Sequence, residues 1–459
     1  MNQPNIKPPI MKQAVTFMSI LLLTACGGGG GGSSSDGGGT GGSGDPEPTL
    51  TLDLKISPNL SVNAGTSYEA QKSEFRLNRR YGFENLDPQN EPEFYSGSYH
   101  GVAYGDFDAD GDIDFQQSGS NLTDKQRPHF YRQNDEGHFI QEDSFIVGGE
   151  GLIHPRKSIV ADFNNDNIPD IVNFGHGLDQ EPFLGEVAEL YLSNGTQLTF
   201  SDQLSSYEGF LHCGAAGDID NDGDIDILMG DANNDGFYFL INDGNANFHK
   251  ASDRIASDTR GYTCELIDIN KDGYLDLLKG GHEFQGTDTA IYYGNSTGTY
   301  SNPVILPAKA QLGVILDIDA EDTNDDGFTD LVILRTGDNT TNPRYFYTGF
   351  YVQLLHGSAD GSFSDQSSLI ERRTDWAHGD NGNPGFARGV NYDGYASAGG
   401  NPDEWIDWIR VQDVNNDNRV DIIEDQGFRN ITWLNNGDGT FSSQFEIYAE
   451  PTDGYQLYE

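Results

Sequence analysis

The feature that most constrains this chain is a nine-residue acidic segment that recurs six times. The copies read DFDADGDID, DFNNDNIPD, DIDNDGDID, DINKDGYLD, DTNDDGFTD and DVNNDNRVD, and they begin at Asp106, Asp162, Asp218, Asp268, Asp322 and Asp413. Carboxylates packed this closely repel one another unless a cation lies between them. The intervals between copies are 56, 56, 50, 54 and 91 residues. A period of this size indicates a propeller or a solenoid.

Each acidic segment has similar flanks. Short apolar runs such as KSIVA precede it, β-branched runs such as IDILMG follow it, and an aromatic strand with an Asn/Gly/Asp turn, such as YFLINDGNANF, comes later in the repeat. These patterns are typical of hairpins, and no stretch shows convincing helical periodicity. The repeat therefore predicts four short antiparallel strands, the size of one propeller blade. We expect an all-β fold, a β-propeller with an acidic loop in each blade.

The number of blades depends on residues 49–97, which span nearly one period but lack an acidic segment. Interpreted as a degenerate first blade, they make the propeller seven-bladed; a six-bladed propeller with a long N-terminal arm is the alternative. The long final interval predicts an insertion at about 366–405, which is rich in Gly, Asn and Asp. Trp376 and Trp405 in this insertion could stack on sugar rings.

The acidic segments have the ligand pattern of a calcium loop. Positions 1, 3, 5 and 9 are always Asp or Asn, and position 6 is Gly or Asn, which tolerate a left-handed backbone. Ca²⁺ takes six to eight oxygen ligands. An EF-hand would end in Glu at position 12 between helices, so it does not fit; plain Asp-rich turns are the other alternative. With position 7 contributing its carbonyl, the candidate ligands for up to six Ca²⁺ are Asp106, Asp108, Asp110, Asp112 and Asp114; Asp162, Asn164, Asp166, Ile168 and Asp170; Asp218, Asp220, Asp222, Asp224 and Asp226; Asp268, Asn270, Asp272, Tyr274 and Asp276; Asp322, Asn324, Asp326, Phe328 and Asp330; and Asp413, Asn415, Asp417, Arg419 and Asp421.

The loops and their flanking strands resemble the FG-GAP/VCBS repeats of bacterial surface proteins and of the integrin α-subunit head. The resemblance extends from about residue 98 to 445. It implies a seven-bladed propeller with its ions on one face, and extracellular adhesion or ligand binding as the role. The second and sixth copies depart from the pattern because Asn167 and Asn418 replace Gly at position 6, and the second also contains Pro169.

The N-terminus predicts export and lipid anchoring. Residues 1–25 contain Lys12 and an apolar run that is too short to span a bilayer, as in a signal peptide. The residues LTAC, which end at Cys26, resemble a bacterial lipobox, so we expect lipidation of Cys26; an ordinary signal peptide is the alternative. Residues 26–48 form a Gly/Ser-rich tether, and residues 49–459 form the propeller. The predicted location is the bacterial cell envelope, at the outer membrane or cell surface.

The net charge limits the partners. The chain has 73 acidic and 26 basic residues and a formal charge of −47. A surface this acidic repels phosphate backbones, so nucleic-acid binding is excluded as a function class. Six Ca²⁺ ions would add twelve positive charges and leave about −35. The expected partners are the membrane, through the anchor, and a glycan or a protein.

Two cysteines remain after Cys26. Cys213 and Cys264 each come shortly before an acidic segment in consecutive repeats, and an exported chain can keep a disulfide. Their offsets from those segments differ by one residue, which would point the side chains differently on regular strands. A bridge and two buried thiols both remain open.

A second group of residues recurs at two phases of the repeat. His100, His154, His212, Arg260, Tyr262 and Trp405 lie six to eight residues before an acidic segment, and His176 and His282 lie fourteen residues after one begins. These phases should share the face opposite the acidic loops. The residues are either solvated loop and capping residues or a cluster that binds a sugar, an acidic glycan or a metal.

The sequence supports three function classes. The first is a calcium-stabilised binding or adhesion module on the cell surface. The second is a polysaccharide-active enzyme of lyase type, because lyases can use His, Tyr and Arg for proton abstraction and charge stabilisation; its candidate residues are His100, His154, His212, Arg260 and Tyr262. The third is a scaffold subunit of an envelope complex. Fold class does not decide among them.

Overall fold

The computed structural model describes fourteen stretches of the chain, all within the unit Thr49–Glu459. They are residues 54–55, 102–112, 114–119, 123–133, 139–178, 180–233, 236–256, 259–339, 345–346, 350–371, 409–413, 417–424, 431–445 and 455–456. Several predicted features lie outside these residues: the signal peptide, Cys26, the tether, most of the degenerate first blade, His100, Asn415, and the insertion from residue 372 onwards with Trp376 and Trp405.

The described residues form six main sheets and contain no α-helix, so the all-β prediction is confirmed. Each sheet has four antiparallel strands that follow one another in the chain. Short paired segments interrupt this order in sheets 2 and 5, and sheet 2 also has a parallel fifth strand, Ile146–Val147. The strands, sheet by sheet, are Val102–Gly105, Asp114–Gln117, His129–Gln133 and Phe139–Gln141 in sheet 1; Pro155–Ala161, Asp170–Gly175, Glu189–Ser193 and Leu198–Ser201 in sheet 2; Leu211–Gly217, Asp226–Asp231, Phe237–Asn242 and Phe248–Ala251 in sheet 3; Thr263–Ile267, Asp276–Gly280, Ala290–Tyr292 and Val304–Ile305 in sheet 4; Val314–Glu321, Asp330–Thr336, Tyr351–His356 and Ser364–Asp365 in sheet 5; and Ile409–Gln412, Asp421–Glu424, Ile431–Asn435 and Phe441–Phe445 in sheet 6.

Short elements complete the described fold. Three-residue 3₁₀ helices lie at Asp143–Phe145, Asp202–Leu204, Glu283–Gln285 and Ser367–Leu369, and two-strand pairings join Glu186–Val187 to Glu208–Gly209, Asp338–Asn339 to Tyr345–Phe346, and Leu54–Lys55 to Tyr455–Gln456. After the helix Ser367–Leu369, Ile370 pairs in parallel with Phe441 of sheet 6. No helix among the described residues is long and apolar enough to cross a membrane.

Each acidic segment connects the first and second strands of its sheet. Where their burial is described, these two strands are buried along almost their whole length, as in the PRKSIVA and DIVNFG strands of sheet 2, whereas the two-residue fourth strands of sheets 4 and 5 are exposed. Strands that are buried on both faces read as continuous apolar runs rather than alternating ones. The β-branched runs around the acidic segments therefore form the inside of the fold.

Five apolar clusters join consecutive sheets. In sequence order, each cluster contains residues of two successive sheets: Phe130 and Val160, Phe174 and Met229, Phe239 and Leu277, Ile291 and Ile333, and Val352 and Trp433. Small residues allow close approach: a Cβ added to Gly214 in sheet 3 would lie 2.4 Å from the ring of Phe174. Sheets 2 and 4, which are not consecutive, also meet, because Lys157 Nζ lies 2.6 Å from Glu265 Oε1 and both side chains are buried.

A disulfide links sheets 3 and 4. Cys213 and Cys264 lie on the first strands of these sheets, with their Cα atoms 5.8 Å apart. Cys213 is four residues before Gly217, which pairs with Asp226, and Cys264 is three residues before Ile267, which pairs with Asp276. The one-residue difference places the two side chains on opposite faces of their own sheets. A disulfide between two sheets packed face to face needs its cysteines on opposite faces of their own sheets, so the offset favours a bridge.

Candidate metal centre

The described residues of the six acidic loops share one backbone conformation. Position 6 has a positive φ in every loop, at 89–98° where it is Gly and at 64–67° where it is Asn. Position 4 is also left-handed in the five loops in which it is described, although it is never Gly there. The position 4 residues are Ala109, Asn165, Asn221, Lys271 and Asp325, with φ between 58° and 60°. Two left-handed residues in six turn the chain tightly enough to bring positions 1, 3 and 5 together.

Side-chain hydrogen bonds hold this conformation. In the third loop, Asp218 Oδ1 accepts from the amide of Asp222 (3.1 Å), and Asp218 Oδ2 accepts from the amide of Gly223 (2.9 Å). Asp222 Oδ1 accepts from the amide of Asp224 (3.0 Å). The same three bonds occur in each of the other five loops. Each bond uses one lone pair of a carboxylate oxygen, which leaves others for a cation.

The aspartate at position 9 is buried and joins the loop to the sheet. In all six sheets, its Oδ1 accepts from the amide at or just beyond the end of the third strand; Asp226, for example, accepts from Asn242 (2.9 Å). Burial raises the pKa of this carboxyl to about 8 in Asp114, Asp170 and Asp226, and to about 7 in Asp276. A nearby cation would offset this cost of burial by favouring the charged form.

Two loops provide an observation that bears directly on a bound cation. Ligand oxygens of Asp106, Asp108 and Asp110 lie within 4.8 Å of one another, as do those of Asp218, Asp220 and Asp222. In these same loops, Asp114 Oδ2 and Asp220 Oδ1 are buried, with no hydrogen-bond partner among the described residues. A buried carboxylate oxygen without a partner is costly. The residues present therefore fit a hard, oxygen-binding cation.

The remaining four loops have Asn instead of Asp at position 3, so positions 1, 3 and 5 of these loops offer two carboxylates and one amide oxygen. Arginines lie beside three loops. Arg132 Nη1 is 3.2 Å from Asp108 Oδ2, Arg254 Nη2 is 2.9 Å from Asp220 Oδ2, and Arg419 contacts Asp417. These contacts offset part of the repulsion among the carboxylates.

A ring cluster lies at the ends of the first and second strands that are opposite the acidic loops. It is defined as His154, His176, Phe210, His212, Tyr262, His282 and Phe284. The centroid of His176 lies 3.9 Å from that of His154, 4.5 Å from that of Phe210 and 5.0 Å from that of His212. The series continues from His212 to Tyr262 (4.8 Å), from Tyr262 to His282 (3.8 Å) and from His282 to Phe284 (5.1 Å). The rings therefore connect sheets 2, 3 and 4 at their loop-free ends.

Burial favours the uncharged form of three histidines of the ring cluster, His176, His212 and His282. Burial lowers the pKa of His176 and His212 well below the usual value, and Arg156 lowers both further; burial lowers the pKa of His282 to about 4. His154, His176 and His282 have 2–5% of their surface exposed. They are not solvated loop residues, and in this conformation they are too buried to act as general bases on an external polysaccharide.

Of the predicted second-face residues, the structure brings together His154, His176, His212, Tyr262 and His282. Arg260 has other partners, because its Nη1 donates to the carbonyls of Ala232 and Asn233. The sequence reasoning missed Phe210, Phe284 and Arg156.

Three solved structures illustrate what the chain is similar to. An Agrocybe aegerita lectin, described as recognising non-reducing terminal N-acetylglucosamine, is 15% identical with a TM-score of 0.46, over 78% of this chain and 82% of the lectin. The V. cholerae biofilm matrix protein Bap1 is 16% identical with a TM-score of 0.30, over 69% of this chain and 42% of its own. A putative exo-β-1,3-galactanase from Bifidobacterium bifidum is 12% identical with a TM-score of 0.34, over 61% and 93%.

No match was found among curated proteins. Residues 218–278 match the model of the FG-GAP-like repeat. This segment starts at the first aspartate of the third loop, includes the fourth loop and ends in the second strand of sheet 4. The resemblance to FG-GAP repeats is therefore confirmed, and this repeat lies where the two sheets are joined by the disulfide.

Proposed function

We propose that this protein is a calcium-stabilised binding module of the bacterial cell envelope, built as a β-propeller, with one Ca²⁺ in each of six loops and a glycan or protein as its ligand. The observation that carries the proposal is the common conformation of the loops. In all six, the oxygens of positions 1 and 5 accept the same hydrogen bonds within the loop, and two loops hold buried oxygens that have no hydrogen-bond partner among the described residues. Ca²⁺, which takes six to eight oxygen ligands in variable geometry, is the cation that such oxygen-rich loops suit.

Three observations support a propeller. Each sheet carries its loop at the same end, between its first and second strands. Each sheet packs on the next through one of the five apolar clusters. The buried Lys157–Glu265 pair brings together the first strands of two sheets that are not neighbours, as expected when first strands surround a common axis.

The role of calcium is tested by thermal unfolding in 2 mM Ca²⁺ and in excess EDTA. With a Kd of about 0.1–1 mM, each filled loop should add about 1 kcal/mol of stability, so EDTA should lower Tm clearly. The variant Asp218→Asn/Asp220→Asn/Asp222→Asn should lose part of the calcium-dependent shift, and Glu208→Gln, an exposed acid outside the loops, should keep all of it. Equal Tm values in Ca²⁺ and EDTA would refute the proposal.

The envelope location rests on the predicted lipid anchor and is tested separately. Cys26→Ala should abolish incorporation of a fatty-acid probe and release the protein from membranes, because only Cys26 follows the lipobox-like residues. Replacing Ser33, in the tether, with Ala should leave labelling unchanged. Labelling that persists in Cys26→Ala would contradict the anchor.

A further inference from the structure

A cleft of about 770 Å³ lies beside sheet 4, and its lining contains no residue of the acidic loops or of the ring cluster. One wall is the chain between sheets 3 and 4, which includes Arg254 and Arg260. The other wall comes from the second, third and fourth strands of sheet 4 and their connections. Small-molecule sites in proteins commonly have volumes of 300–1,000 Å³. The cleft is therefore large enough for a ligand of a few sugar units.

Lys279 lines this cleft and is 95% buried, with 5% of its surface exposed. Its Nζ donates to the carbonyl of Arg260 (3.1 Å) on one wall and to that of Asp288 (2.6 Å) on the other. An ammonium group has three donors. Among the described residues it makes no further hydrogen bond, so one N–H is left for a ligand. Burial also lowers the pKa of Lys279 to about 8, although the nearby carboxylates of Asp288 and Glu283 favour its charged form.

The charge of the cleft differs from that of the chain. Its lining contains Arg260 and Lys279 beside the exposed acids Asp253 and Asp288, and its third cation, Arg254, is paired with Asp220 of the third loop, whereas the whole chain has nearly three acids for each base. A lining in which bases match acids repels an anion far less than the rest of this acidic surface. The local balance therefore allows an anionic ligand.

The other polar groups of the lining are hydroxyls and amides. Thr259, Thr287, Gln285 and Asn302 contribute donors and acceptors, and Tyr292 contributes an aromatic ring. Hydroxyl and amide groups beside an aromatic ring suit the hydroxyl groups and apolar faces of a sugar. A site with these groups and a buried ammonium fits a sugar better than a bare inorganic anion.

We propose that this cleft binds an acidic sugar, with the carboxylate or sulfate of the ligand on Lys279 Nζ and the sugar hydroxyls on the threonine and amide side chains. The inference deepens the proposed function, on which it rests for its glycan ligand. It assigns the ligand to one cleft beside sheet 4 rather than to the loops or the ring cluster.

The test is isothermal titration of the full-length protein in excess Ca²⁺ with three probes: an oligogalacturonate, a sulfated oligosaccharide and a neutral oligosaccharide of the same length. We expect binding of the uronate probe, the sulfated probe or both, and the stronger of them identifies the anionic group. Lys279→Met should weaken that binding at least tenfold. Lys125→Met, a surface lysine paired with Glu150, should leave it unchanged.

Thermal unfolding in Ca²⁺ shows whether Lys279→Met is folded, and Arg260→Gln is a second variant of the same cleft if it is not. Binding of neither acidic probe, binding of all three probes with equal affinity, or variants that bind as the native protein does would each overturn the inference. Any of these results together with a calcium-dependent Tm would leave the proposed function standing. Equal Tm values in Ca²⁺ and in EDTA would overturn the proposed function as well.

Discussion

At the scale of single residues, left-handed backbone positions decide the shape of each acidic loop. Gly223 has a φ of 96°, and a Cβ added there would meet nothing within 4 Å, so the requirement for Gly is conformational and not steric. Asn167 and Asn418 occupy the same position at smaller angles, 67° and 64°. Asn tolerates this region better than other residues with a Cβ.

This difference predicts the effect of substitutions at Gly223. Gly223→Ala should lower the free energy of unfolding by about 1 kcal/mol, because a Cβ is disfavoured in the left-handed region. Gly223→Asn should lose less, since loops two and six already accept Asn there. Urea unfolding in saturating Ca²⁺ measures both. Equal losses in the two variants would contradict the conformational explanation.

The loops also show where single-residue prediction stops. The oxygen pattern and the glycine at position 6 were readable, because ligand spacing and left-handed turns have strong residue preferences. At position 4, Asn165 and Asn221 are compatible with a left-handed conformation, but this conformation was not readable in the first and fourth loops. Ala109 and Lys271 have no such preference, and the surrounding hydrogen bonds impose their φ of 58° and 59°.

At the scale of elements, the repeat predicted the strands well, but it predicted poorly the environment of the residues at the face opposite the acidic loops. The acidic segment, its β-branched flanks and the later hairpin correspond to successive strands of each sheet. The phase of the histidines placed them together, but it could not show that sheets 2, 3 and 4 bury them. Burial depends on Phe210 and Phe284, which the repeat phase did not single out.

The buried rings predict a loss of stability in acid. His282 has a pKa of about 4 when folded, so the unfolded chain binds its proton first. Its stabilising contribution is complete above pH 6.5 and falls as the pH drops towards 4, by about 2 kcal/mol between pH 7.5 and 5.

Urea unfolding of the native protein and of His282→Gln in saturating Ca²⁺, at pH 7.5, 6 and 5, tests this prediction. The variant should lose less stability than the native protein as the pH falls. His249, an exposed histidine on the outer strand of sheet 3, provides the matched control, and His249→Gln should follow the native protein. Parallel curves for the native protein and His282→Gln would contradict it.

At the scale of the whole molecule, the charge of −47 and the six loops belong to one explanation. Self-repulsion among so many acids weakens a compact state. The loops concentrate part of this charge at repeated positions where a divalent cation can neutralise it. The sequence therefore indicated the repeat and is the basis of the cation that we propose for it, whereas the cleft beside sheet 4 could not be predicted, because its walls come from segments that no repeat pattern relates.

The most direct measurement is the number of Ca²⁺ ions bound per chain, determined by equilibrium dialysis at rising free Ca²⁺. The account predicts six at saturation, with the loops that contain Asn167 and Asn418 filling last, because they lack Gly at position 6. The variant Asp218→Asn/Asp220→Asn/Asp222→Asn should bind one ion fewer. A plateau below six ions per chain would contradict it.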